Sequence, residues 1–121
     1  MSATIFTLLL LLQFKHWYID FINQTDMEVI DKGIYGGAMG IGHSIKHGVG
    51  TLLCLVAVTG IDYLLYAVTL ATVDFIMHYH IDWIKRNYGS NDMNSKEFWV
   101  DLGLDQMAHQ MTYLFIAWMV A

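Results

Sequence analysis

Ionisable residues recur four apart along the apolar stretches of this chain: His16 with Asp20, His43 with His47, Asp74 with His78 and Asp82, and Asp105 with His109. A spacing of four puts the members of each set on one face of a helix. Imidazole together with carboxylate is a donor set for zinc, iron or manganese. Inward-facing His and carboxylate pairs on several helices are also how di-metal bundles are built. The pattern predicts divalent-metal ligands at His16, His43, His47, Asp74, His78, Asp105 and His109, with zinc favoured and iron or manganese as other choices. That set is larger than one tetrahedral ion needs. Two ions would use it better, as would one ion with outer carboxylates and a general base. Asp20 and Asp82 are the residues for the base or ligand-orienting role. Lys46 and Lys85 are placed to hold an anionic substrate headgroup.

The plainer alternative is a buried network of hydrogen bonds and ion pairs. Lys15, Lys46 and Lys85 lie close enough in sequence to neutralise some of these carboxylates and fix helix register without any metal. A proton or ion path is a third reading. His80 is two residues from His78, so it points to another face and reads as an interface or capping histidine. The glycine-rich stretch 33–50 leads into a helix N-terminus that could hold a phosphate. Close helix packing through Gly36, Gly40 and Gly48 is the commoner use of such glycines.

The elements that must position these residues are apolar. The chain of 121 residues is 56% hydrophobic and only 14% charged, has a net charge of −5 and contains no proline; its mean hydropathy is +0.45. A typical soluble domain carries about 25% charged residues. The composition excludes disorder and nucleic-acid binding and points to one small integral membrane domain in the lipid bilayer. With one cysteine, Cys54, no disulfide forms within the chain. The first apolar stretch has no basic leader and no small-residue cleavage site after it, so it is expected to be a retained span and not a signal peptide.

A bilayer core of about 30 Å needs about 20 apolar residues in a helix. Spans are expected at about 4–22, 41–59, 62–86 and 98–120, with 23–40 as a loop or re-entrant segment and Ser95 as an N-cap. The stretch 48–73 is too long for one upright span and is divided at Gly60-Ile61-Asp62. This division has a consequence for the site. His16 and His109 each lie 12 residues from the far end of their helices, His47 lies 13 from Gly60, and Asp74 lies 14 from it. At ~1.5 Å per residue, all four sets fall about 18–21 Å from the same membrane face. The expected fold is therefore an all-α, transmembrane four-helix bundle with a His/Asp core near one face. The Lys and Arg residues gather toward that face. This makes it the cytoplasmic side of a bacterial (host) inner membrane, with both termini outside. Ionisable groups at such depth are functional candidates by default.

On the segments Gln13–Phe21, His43–Gly48, Asp74–Lys85 and Asp105–Gln110, the chain resembles a family of small integral membrane proteins of unknown function found in phages and bacteria. The resemblance spans nearly the whole chain and supports the fold and the shared stripe; it implies no reaction. A looser similarity to membrane-bound metal-dependent hydrolases orders the functional readings. First stands a metal-dependent hydrolase acting on a lipid or other membrane-embedded substrate. Second is an ion or proton channel or transporter. Third is a non-catalytic phage factor that modifies the host envelope. A bis-haem protein ranks last, because carboxylates crowd the histidines. Small residues on the helices (Gly36, Gly40, Ala67, Ala71) allow a homo-oligomer.

Overall fold

The computed structural model describes residues 2–121 and, among them, contains helices and no strand. Five α-helices follow one another: α1 (Ala3–Trp17), α2 (Asp26–Asp31), α3 (Ala38–Thr59), α4 (Leu64–Tyr88) and α5 (Lys96–Val120). α1 continues without interruption into a π-helical turn, Tyr18–Ile22. Helix α1 packs on α3 and α5, and α4 packs on α3 and α5, so the four long helices close a ring.

The local chemistry explains each boundary. Ser2 caps α1 by accepting from the Ile5 N–H. Ser95 caps α5 in the same way through the Phe98 N–H, 3.2 Å away. Thr25 and Glu28 form a capping box that starts α2 inside the stretch expected to be loop. Helix α3 begins at Ala38, three residues earlier than the sequence suggests, because Asp31 accepts from the Met39 and Gly40 N–H groups at 2.6 and 3.0 Å. Its carboxylate sits where a Cβ on Gly37 would collide with it, at 2.5–2.8 Å. The helix N-terminus considered for a phosphate thus already holds an internal anion. Gly48 brings α3 close to α4: a Cβ there would lie 3.2 Å from Phe75 and 3.4 Å from the Ala71 carbonyl.

The chain reverses between α3 and α4 at Gly60, which has φ 87° and ψ 165°. Only glycine adopts this region without strain. Gly60→Ala meets no atom within 4 Å, so its effect isolates the backbone cost. The expected loss is about 1–3 kcal/mol, read as a lowered unfolding midpoint in detergent.

Three helices are long and apolar enough to cross a membrane: Ala3–Ile22, Ala38–Thr59 and Ile61–Tyr88. The sequence expectation was four. Helix α5 has 25 residues, as many as α4, but Asp105, Gln106, His109 and Gln110 make its middle too polar to qualify by composition. Large apolar side chains cover the outside, among them Phe14, Leu53, Leu65 and Trp118, each at least 65% exposed. Inside, Leu8, Leu12, Leu55, Leu70, Tyr113 and Ile116 fill the half of the ring nearest Gly60.

Candidate metal centre

The polar residues of the interior stack in layers above that apolar half. The deepest is an ion pair. Lys15 reaches across from α1 to Asp74 on α4 at 2.9 Å and to Thr51 on α3 at 3.0 Å. Thr51 donates to the same Asp74 oxygen at 2.5 Å. The Lys15 ammonium also lies 4.7 Å from the centre of the Tyr113 ring. Asp74, expected among the ligands, is therefore held away from the histidines. It sits one turn nearer the apolar half than His78, where Lys15 and Thr51 neutralise and bond it.

The next layer is imidazole. The rings of His47 and His78 stack at 3.5 Å and those of His78 and His109 at 4.1 Å. His16 lies 5.0 Å from His109 and 5.6 Å from His47. Both nitrogens of His16 already have partners, Tyr113 Oη at 2.9 Å and Gln106 Oε1 at 2.8 Å. These hydrogen bonds anchor α1 to α5, and His16, one of the expected ligands, also keeps a ring nitrogen within 4.8 Å of ligating atoms of His78 and His109.

Carboxylates form the layer above. Asp20 lies in the π turn at the end of α1. That turn closes with the Asn23 N–H bonded to the Tyr18 carbonyl at 2.9 Å. Its extra residue widens the helix, a feature frequent at functional sites. Asp20 Oδ1 meets His47 Nε2 at 2.7 Å, His43 Nε2 at 2.9 Å and His78 Nε2 at 3.6 Å. Asp82 faces His78 through Oδ2 at 3.1 Å and His109 through Oδ1 at 3.2 Å. Asp105 Oδ1 lies 3.4 Å from His109 Nε2. Three groups have ligating atoms within 4.8 Å of one another: Asp20–His43–His47–His78, His16–His78–His109 and Asp82–Asp105–His109.

These distances suit a cation. A tetrahedral zinc with bonds of about 2.0–2.1 Å separates its ligand atoms by about 3.3 Å, close to the 2.7–3.6 Å spread around Asp20 Oδ1. A plain hydrogen-bond network fits less well. His43 Nδ1, His47 Nδ1, His78 Nδ1 and Asp105 Oδ1 are buried without a hydrogen-bond partner among the described residues. Each such atom costs about 1–3 kcal/mol. His78 has no solvent exposure; its Nδ1 has no hydrogen-bond partner among the described residues, and its Nε2 faces carboxylate oxygens at 3.1 and 3.6 Å.

Lysines finish the site. Lys32 pairs with Asp82 Oδ2 at 2.9 Å and also donates to Gln24. Lys46 pairs with Glu28 at 2.5 Å. Burial pushes the Glu28 carboxyl up, but the Lys46 ammonium and the Thr25 N–H outweigh it and hold the group below the usual glutamate range. Lys46, expected to hold a headgroup, thus pairs with the α2 clamp. Lys85 has no ion pair among the described residues and lies 6.0 Å from the Phe98 ring. It lines a cavity of about 320 Å³ whose walls include Asp20, Asp82, Asp105 and Gln106, with Lys32 and Arg86 beside it. An apolar groove between α4 and α5 shares Lys85 and Asp105 with that cavity. His80 is outside the cluster, bonded to Tyr35 and to the Ile76 carbonyl.

Fold and site together define a helical protein with membrane-competent helices and a buried His/carboxylate cluster able to hold metal. The chain belongs to the DUF3307 family of proteins of unknown function, whose model matches residues 5–121. No curated protein and no solved structure matches it significantly.

Proposed function

We propose that this protein is an integral membrane four-helix bundle that binds a divalent cation, zinc by preference, and uses it to hydrolyse an ester in a membrane-embedded amphiphile. The observation that carries the reading is the meeting of three fully buried imidazoles, His43, His47 and His78, on one oxygen of Asp20, with Asp82 also 3.1 Å from His78 Nε2 and His78 Nδ1 without a hydrogen-bond partner among the described residues. Asp20 acts as a ligand in this reading and not as the base.

A bound cation would lower the pKa of its water to about 7. A cation held by Asp20, His43, His47 and His78 would supply an activated water for attack at the ester carbon or phosphorus with loss of the leaving oxygen, and Asp82 or Asp105 in the cavity would take the proton of that water and return it to the leaving oxygen. Lys85, free of an internal partner and beside both cavity and groove, is placed to hold an anionic headgroup while the apolar groove takes a chain. The aliphatic filling on the Gly60 side of Lys15 and Asp74 speaks for a closed site over a conducting path. By the distribution of Lys and Arg, the cavity opens toward the cytoplasm.

The test is elemental analysis of protein purified in detergent without added metal chelator. The expected result is at least one stoichiometric divalent metal ion, lost in His78→Ala. A wild-type protein that binds none, even after incubation with Zn²⁺, overturns the proposal.

A further inference from the structure

We infer that the cluster holds two cations and not one, with Asp82 bridging them; this rests on the metal-centre reading above. The first ion takes Asp20, His43, His47 and His78. The second takes His109, Asp105 and the other oxygen of Asp82.

Asp82 reaches both groups with different oxygens. Its Oδ2 lies 3.1 Å from His78 Nε2 and 3.6 Å from His43 Nε2, on the side of the first group. Its Oδ1 lies 3.2 Å from His109 Nε2, on the side of the second. A carboxylate that presents one oxygen to each of two donor sets is the geometry of a bridge. The set Asp82–Asp105–His109 is not merely an acidic cluster. Asp82, Asp105 and His109 are 6%, 8% and 1% exposed. Asp105 Oδ1 is buried with no hydrogen-bond partner among the described residues, whereas Asp82 Oδ2 has the Lys32 ammonium at 2.9 Å. A carboxylate oxygen such as that of Asp105 is stable at this depth only when charge reaches it.

The layer brings together three carboxylates, Asp20, Asp82 and Asp105, all at most 8% exposed. Lys32 is the one ammonium paired with any of them among the described residues, at 2.9 Å from Asp82 Oδ2. Lys32 and one dication balance the three carboxylates in sum, but both lie on the Asp82 and Asp20 side; a second dication is the charge that would stand beside Asp105, which has no ammonium of its own among the described residues. Lys32 then competes with the ions for Asp82 and retreats to Gln24, which it already contacts. Two-metal centres of this kind clamp both the attacking and the leaving oxygen of a displacement.

The experiment titrates the metal-stripped, full-length protein with Mn²⁺ alone, counting bound ions by elemental analysis after gel filtration and recording the electron paramagnetic resonance spectrum. Wild type is expected to bind two equivalents and to show the broadened signal of an exchange-coupled pair. Asp105→Asn, which keeps size and removes charge, is expected to bind one equivalent with an uncoupled six-line signal. Lys32→Met removes the competing ammonium and is expected to tighten the second equivalent roughly tenfold or more. One equivalent in wild type, with an uncoupled spectrum, overturns the second ion and leaves the single-ion reading standing. No bound ion overturns both. The wild-type result alone decides the matter if Asp105→Asn does not fold.

Discussion

Asp20→Asn is expected to fold and to lose the ion assigned to Asp20, His43, His47 and His78. The substitution preserves shape, so the packing of the π turn against α3 is kept. It removes the charged oxygen on which His43 and His47 converge at 2.9 and 2.7 Å. Loss of a residue that merely orients a ligand lowers metal affinity about 10–100-fold; loss of a charged ligand exceeds that range. Thermal unfolding in detergent, with and without a chelator, gives the readout. A ligand bound at 100 times its Kd stabilises the folded state by about 2.7 kcal/mol, so chelation is expected to lower the wild-type Tm by several degrees. Asp20→Asn is expected to show a clearly smaller chelator-induced shift than wild type. A hydrogen-bond network predicts the reverse: wild type indifferent to chelator, and Asp20→Asn altered only through weakened imidazole bonds. An unaltered wild-type Tm after verified removal of bound metal therefore sinks the metal-centre reading.

The parts of this site that were legible in the sequence, and the parts that were not, divide along one physical line. Spacing of four fixes which residues share a helix face, and helix length fixes their depth to within about a turn. Those two facts are enough to collect His43, His47, His78 and His109 at one level, given a reversal at Gly60. One turn is about 5.4 Å, however, and a metal site is decided at finer scale. Asp74 lies one turn from His78 on the same face, and that turn carries it to Lys15 and Thr51. His16 is at the right level, but Tyr113 and Gln106 occupy its nitrogens. Neither partner can be read from a single helix, because both belong to α5. The π turn that aims Asp20 has no sequence signature of its own. The short helix α2 did have one. Thr25 followed three residues later by Glu28 is a capping-box pattern in a stretch expected to be loop. That helix brings Glu28 to Lys46 and leads on to Lys32 beside Asp82. The loop thus supplies charges that the helices could not be seen to need.

Lys15→Met is expected to destabilise the protein by about 3–5 kcal/mol, the cost of leaving one member of a buried ion pair without the other. Asp74 is 1% exposed, and its one remaining hydrogen-bond partner would be Thr51. Lys15 itself is 7% exposed and has no route to water past the apolar filling below it. Its stem runs through a gap left by Gly50, where a Cβ would come within 2.7 Å of Lys15 Cγ and Cδ. Gly50→Ala therefore strains the same pair and is expected to give a smaller loss of the same sign. The deciding measurement is a double-mutant cycle with Asp74→Leu, read by denaturant unfolding in detergent. Removing both charges replaces the pair by apolar groups of similar bulk, a change that is often neutral or stabilising for buried ion pairs. Lys15→Met/Asp74→Leu is thus expected to regain most of what either single change loses. It should also keep its metal, because neither side chain is a ligand in the proposed centre. Additive losses in the double variant would show that the pair is not coupled. Loss of metal in a double variant of near wild-type stability would return Asp74 to the ligand set.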